Sequence, residues 1–140
     1  MMAEPHFVAL GNQVSAPTRR LEVFPAPPHV KKVVLESDEV TSLCPVTGQP
    51  DWETVRIEFE PDAYCIESKS LKLYLWSFRG EGAFCESLAA RIALDVYEAC
   101  KPHRVTVVVT QKPRGGIVIS ATAVYPDEMI AVIDNSRPRA

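Results

Sequence analysis

From Trp52 to Glu60 the polar residues Thr54, Arg56, Glu58 and Glu60 interleave with Val55, Ile57 and Phe59. A period of two sends the two sets to opposite faces of an extended chain, so this stretch predicts a strand with one wet face. Val30–Glu36 and Val40–Leu43 predict strand structure before it, running into Cys44-Pro45 and a turn at Thr47-Gly48. The β-branched run Val105–Thr110 predicts another strand, and Pro113-Arg114-Gly115-Gly116 turns the chain into a last one, about Ile117–Val124.

Between these pairs the period lengthens. Leu71, Leu75 and Phe78, with Tyr74 beside them, fall at helical spacing and predict a helix over Ser68–Phe78, broken by Gly80 and Gly82. Leu88, Ile92 and Val96 at steps of four predict a second helix over about Phe84–Ala99, ended at Lys101-Pro102, with Arg91, Asp95 and Glu98 on its opposite face. The order ββααββ predicts an α+β fold, an antiparallel sheet with both helices packed on one face. Apolar content on both sheet faces, together with open edges, predicts that copies of the chain associate.

With 140 residues the chain is one domain's worth. Residues 1–28 contain Pro5, Pro17, Pro25, Pro27 and Pro28 and read as an extended arm without regular structure, leaving residues 29–140 as a single catalytic domain. The net charge of -3 gives no general reason to expect a nucleic acid. No apolar run approaches the length needed to cross a bilayer, and Met1–Leu21 lacks a signal peptide's apolar middle, so a cytoplasmic protein is expected. His6, His29 and His103 lie apart and the four cysteines form no CxxC pair, so no metal site is expected.

The segment Leu43-Cys44-Pro45-Val46-Thr47-Gly48-Gln49-Pro50-Asp51 lies where a strand breaks into a turn. A thiolate from Cys44 can add to an electrophilic carbon, and a carboxyl from Asp51 can deliver the proton that the resulting nitrogen anion needs. The pairing suits nitrile or carbonyl chemistry; the plainer alternative is a small buried Cys44 and a turn-capping Asp51. Glu67-Ser68-Lys69-Ser70-Leu71-Lys72-Leu73-Tyr74 opens the first helix, where free amides and the helix dipole favour an anion. Lys69, Lys72 and Arg114, the last beside Gly115, could hold a phosphorylated cofactor if the fold or a neighbour gathers them, and solvated charge is the alternative. Glu86 suits the first turn of the second helix, and its carboxylate could also accept two parallel hydrogen bonds from a guanine-like edge.

Taken together, the Cys44–Asp51 segment, the Glu67–Tyr74 segment, Ser77-Phe78-Arg79 and Pro113-Arg114-Gly115-Gly116 resemble the short form of the NADPH-dependent 7-cyano-7-deazaguanine reductases, members of the tunnelling-fold superfamily. The likeness covers about Phe24–Ile119. It implies that Cys44 forms a covalent thioimidate with the substrate's nitrile carbon, that Asp51 acts as the acid, and that Glu86 recognises the deazaguanine base. Cys85, Glu67 and Ser68 would adjoin the substrate. NADPH would be the cofactor, held by Lys69, Ser70, Lys72, Arg114 and Gly115. The family fold implies pentameric rings, two of them face to face, with sites between subunits and a free base as substrate rather than a polynucleotide. One position departs from the pattern: Cys85 stands where the family usually has a histidine, and a thiol is a smaller and weaker hydrogen-bond donor. Two other readings follow from that departure, an amidine-forming enzyme acting on a nitrile in tRNA and a non-catalytic module that binds a purine or pterin.

Overall fold

The structure, a computed structural model, describes residues 16–127. A sheet of four antiparallel strands carries the fold: β2 (Val33–Leu43), β3 (Pro50–Glu60), β5 (Arg104–Arg114) and β6 (Ile117–Tyr125), in the order β2-β3-β5-β6. Between its two hairpins the chain forms α1 (Ser68–Trp76), a 3-10 turn over Ser77–Gly80, and α2 (Cys85–Cys100). The α+β arrangement expected from the pattern is the one observed. α2 packs along β5 and β6, so Leu88, Ile92 and Val96 meet Val105, Val107 and Val109 in one core with Val55, Ile57 and Phe59. The odd-numbered residues of β3 face this core, as the alternation predicts.

Part of the proline-rich start is ordered as strand, which corrects the expectation of an irregular arm. β1 (Val23–Pro25) pairs antiparallel with β4 (Tyr64–Ile66), with Val23 opposite Ile66 and Pro25 opposite Tyr64. Proline is tolerated here because it ends a short, peripheral strand, where one missing donor does little harm. The rest of the expected arm, residues 1–15, lies outside the described residues, as does 128–140.

β2 runs unbroken where two separate stretches were expected. Ser37 lies opposite Val55, yet Val40 lies opposite Glu53, so three steps on β2 match two on β3 and one extra residue is accommodated as a bulge. The bulge changes which parity faces inward: Leu35 and Ser37 precede it on the core side, Val40 and Ser42 follow it there. Without it, Val40, Ser42 and the Cys44 that follows would turn to the other face. β5 has a matching irregularity, Gln111 opposite Ile119 but Arg114 opposite Ile117, which brings Arg114 round to the face of Val109 and Gln111. Thus both strand ends that bear reactive groups are aimed inward by bulges.

α1 stops two residues earlier than predicted, and the chain tightens into the 3-10 turn, where the Glu81 amide donates to the Phe78 carbonyl at 3.0 Å and the Ser77 hydroxyl donates to the Tyr74 carbonyl. Arg19 ties the start of the described chain to this turn through Ser77 and Glu81 and lies 3.9 Å over the Phe78 ring. Among the described residues no helix is long and apolar enough to cross a membrane.

Candidate active site

The β2–β3 connection is a closed loop. The Cys44 amide donates to the Gln49 carbonyl and the Gly48 amide donates to the Cys44 carbonyl, each at 2.8 Å. Gly48 takes φ of +71°, a left-handed conformation that glycine adopts without steric cost. The loop folds Thr47 back over Cys44. Hydrogen bonds from the Thr47 side chain and amide, then from Arg114 and the Val46 amide, favour the thiolate and lower the Cys44 pKa to about 6 against a smaller opposing effect of burial. At neutral pH the group is therefore mostly thiolate. Replacing Thr47 by valine should raise that midpoint by about one pH unit or more, read from the pH dependence of iodoacetamide labelling at Cys44; an unchanged midpoint would show that Thr47 does not activate the thiol.

Asp51 begins the inner face of β3 and is only 3% exposed. Its Oδ1 lies 2.7 Å from Nη1 of Arg114, a close ion pair whose angle is not that of a directed hydrogen bond. Arg114 thus serves both reactive groups. Its own pKa is raised, chiefly by its hydrogen bond to Cys44 and also by the charges of Asp51, Cys44 and Glu53.

The third wall comes from the entry to α2. The Leu43 amide donates to the Glu81 carbonyl at 2.9 Å and the Ala83 amide to the Leu43 carbonyl at 3.1 Å, a parallel bridge that lays 81–83 beside the end of β2. α2 therefore starts next to the Cys44 loop. Cys85 is buried, its thiol 3.3 Å from the Val109 carbonyl. Burial pushes that thiol up, and the charges of Glu86, Glu53 and Asp51 push it further, so it is a poor nucleophile. Glu86 is exposed in the first turn of α2.

The start of α1 differs from the expectation of amides open to an anion. Glu67 is the N-cap, and its carboxylate accepts from the amides of Lys69 and Ser70, each at 2.7 Å. The chain's own anion fills the helix end. Ser70 is fully buried, its hydroxyl donating to the Glu67 carbonyl at 2.8 Å and accepting from the Glu22 amide at 2.9 Å. Ser68 and Lys72 are exposed and Lys69 is half-buried. The structure thus brings Cys44, Asp51, Arg114 and Cys85 together and sets Glu86 at their edge, while Glu67 and Ser70 hold α1 in place. Gly115, at φ of +58°, turns β5 into β6 directly after Arg114.

Sequence reasoning missed four residues here: Thr47, Ser42, Gln111 and Glu53. Glu53 is 2% exposed, accepts from the Ser42 hydroxyl at 2.5 Å, and lies opposite Gln111. Its pKa is raised to about 7, first by burial and then by Asp51, against the Ser42 hydrogen bond and Arg114. The signal was available, because extending the apolar set Val55, Ile57, Phe59 backward by twos reaches Glu53 and Asp51.

The family model for QueF-like proteins matches residues 50–129. A relative from Frankia casuarinae, named NADPH-dependent 7-cyano-7-deazaguanine reductase, is 44% identical over 119 residues, covering 85% of this chain and 95% of that protein. The chain belongs to the QueF-like family. Family members of the same name from an Anaeromyxobacter species and from Nitrosococcus oceani are 46% and 42% identical, covering 76% and 79% of this chain and 89% and 88% of theirs. Among solved QueF-like structures, the apo form of the archaeosine synthase QueF-Like superposes with a TM-score of 0.64 at 26% identity, over 67% of this chain and 92% of that one.

Proposed function

We propose that the protein reduces the nitrile of 7-cyano-7-deazaguanine to the aminomethyl group, with NADPH as reductant. The observation that carries this reading is the placement of an activated Cys44 and a buried Asp51 about one guanidinium, Arg114, at the mouth of the β2–β3 hairpin. Relatives at 42–46% identity bear the reductase name, whereas the solved archaeosine synthase is more distant at 26%, which favours reduction over amidine formation.

The Cys44 thiolate adds to the nitrile carbon, and Asp51 gives the proton that the nitrogen takes up, which leaves a thioimidate on sulfur. Arg114 holds Asp51 and stabilises the thiolate before attack. Glu86, exposed at the edge of the site, accepts the ring and exocyclic N–H groups of the base, with Cys85 buried beside it in sequence. For NADPH, cations suit its phosphates: Lys72 is exposed, Lys69 is half-buried, Arg114 lies near the surface, and Gly115 leaves room beside the last of them. Bound NADPH supplies hydride. Glu67 and Ser70 then serve by fixing the helix that carries the two lysines.

Exposed Val46, Trp52, Phe84, Ile117 and Val118 lie around this hairpin, the entry to α2 and β6, and they support association of copies, in rings of five as the family likeness implies. A cytoplasmic location and a free base as substrate accompany that reading. The test is to follow NADPH absorbance with purified protein and 7-cyano-7-deazaguanine and to weigh the product. Conversion of nitrile to amine is a four-electron reduction, so two NADPH should disappear per aminomethyl product; a covalent adduct without NADPH loss would favour the amidine-forming reading.

A further inference from the structure

The reduction consumes two protons for each product as well as two hydrides: R–CN + 2 NADPH + 2 H⁺ gives R–CH₂NH₂ + 2 NADP⁺. With Cys44 already a thiolate, sulfur brings no proton to the nitrogen, and the single carboxyl of Asp51 can bring only one. A second proton must still reach the nitrogen, and Asp51, only 3% exposed, is poorly placed to take it directly from solvent. Glu53 stands two residues along the same inner face of β3, a Cα separation of about 6.5–7 Å. Its Oε1 accepts from the Ser42 hydroxyl, while its Oε2 is buried with no partner among the described residues. Gln111 lies opposite, and its Nε2 also has no partner among them. A carboxyl buried with half its hydrogen-bonding capacity unused costs stability, and nothing in the core's packing requires one there.

We propose that Glu53 is the proton store of the site, a positioning residue that reloads Asp51 between the two reductive steps. This rests on the nitrile-reductase reading. Asp51 first protonates the nitrogen of the Cys44 adduct and is left as carboxylate. Glu53 then passes its proton to Asp51, which delivers it to the nitrogen at the second reduction, and Glu53 is refilled from solvent as product leaves. No bond to carbon is made or broken by Glu53, and the electrons come only from NADPH.

The groups facing Glu53 are Ser42 from β2, Asp51 on its own strand, Gln111 and Arg114 from β5, and Cys85 from α2. Burial and Asp51 hold its proton on to about pH 7, so the store is filled below that pH and empties above it. The rate under saturating substrate and NADPH should therefore fall as pH rises through about 7.

Glu53→Gln keeps the acceptor for Ser42 and the shape of the side chain but has no proton to give. The variant should form the Cys44 adduct at close to the wild-type rate when NADPH is left out, seen by intact mass against time. Its kcat should drop by about 10- to 100-fold with KM within about threefold, and the fall near pH 7 should vanish. Ser42→Ala removes the hydrogen bond that favours the ionised carboxylate, so the same fall should move to higher pH. It serves as the second reading should Glu53→Gln not fold. Profiles of both variants that overlay the wild type, or a Ser42→Ala profile that does so alone, would overturn the role of Glu53 while leaving the reductase reading intact. A wild-type protein that forms no adduct and oxidises no NADPH would overturn both.

Discussion

Cys44→Ala should abolish turnover, a loss on the order of 10⁴-fold or more, while the variant still binds 7-cyano-7-deazaguanine. No other thiol can take its place. Cys65, Cys85 and Cys100 are all buried, and burial pushes each of their thiols up, whereas the Thr47 hydrogen bonds and Arg114 bring Cys44 down to about 6. At pH 7 the nucleophilic form is thus concentrated on one residue of the four. The check pairs NADPH consumption with intact mass: wild type gains one substrate mass on Cys44, and the variant gains none and consumes no NADPH. Binding measured by calorimetry separates this result from simple unfolding. A Cys44→Ala protein that still turned over would remove covalent chemistry from the account, and a wild type that bound the nitrile with neither adduct nor turnover would leave a binding module.

The pH dependence follows from the same groups. The Cys44 thiolate forms as pH rises through about 6, so activity should increase there, and the Glu53 store empties above about 7. Two opposed limbs so close together give a narrow maximum between them.

Much of this was legible in the chain. The alternation from Thr54 to Glu60 and the steps of four from Leu88 to Val96 are strong because each reports a single continuous face, and the structure keeps both. The Cys44–Asp51 segment was legible as chemistry, since both residues are reactive and a turn lies between them. Arg114 as partner of both was not legible. Its approach depends on the shift between Gln111 and Arg114, just as the inward aim of Cys44 depends on the shift between Ser37 and Val40. A bulge leaves no mark in a period-two pattern except a break, and Ser37-Asp38-Glu39 reads equally well as the end of one strand. β1 was hidden for a different reason, because three residues ending at a proline carry too short a pattern to read.

On the proposed reading, the start of α1 divides one motif into two roles. Glu67 and Ser70 direct their hydrogen bonds to backbone, capping the helix and fixing the chain at Glu22, while Lys72 is exposed and Lys69 half-buried. A motif associated with a cofactor can owe half its residues to the helix that displays the other half. Substitutions at Glu67 would then act on the fold and on the cofactor at once, which makes Lys72 the cleaner probe of phosphate binding.

Asp51→Asn should lower kcat by about 10²- to 10⁴-fold without lowering the reactivity of Cys44. Asparagine keeps the size of the side chain, but it can neither take up and pass on a proton nor, in turn, pair as a carboxylate with Arg114 at 2.7 Å. Loss of that carboxylate leaves Arg114 with one fewer anion to serve. Its attraction for the Cys44 thiolate is then undiminished or greater, so labelling of Cys44 by iodoacetamide at pH 6 should proceed at least as fast as in wild type. Addition to the nitrile should nevertheless be slow, because the nitrogen anion has no acid beside it and Glu53 has no intermediary through which to deliver. The diagnostic result is therefore a split: a thiol that reacts with an alkylating agent at full rate and with the nitrile hardly at all. Retention of turnover within about threefold would mean that water or another group protonates the nitrogen, and Asp51 would then be left with the task of holding Arg114 against the thiolate.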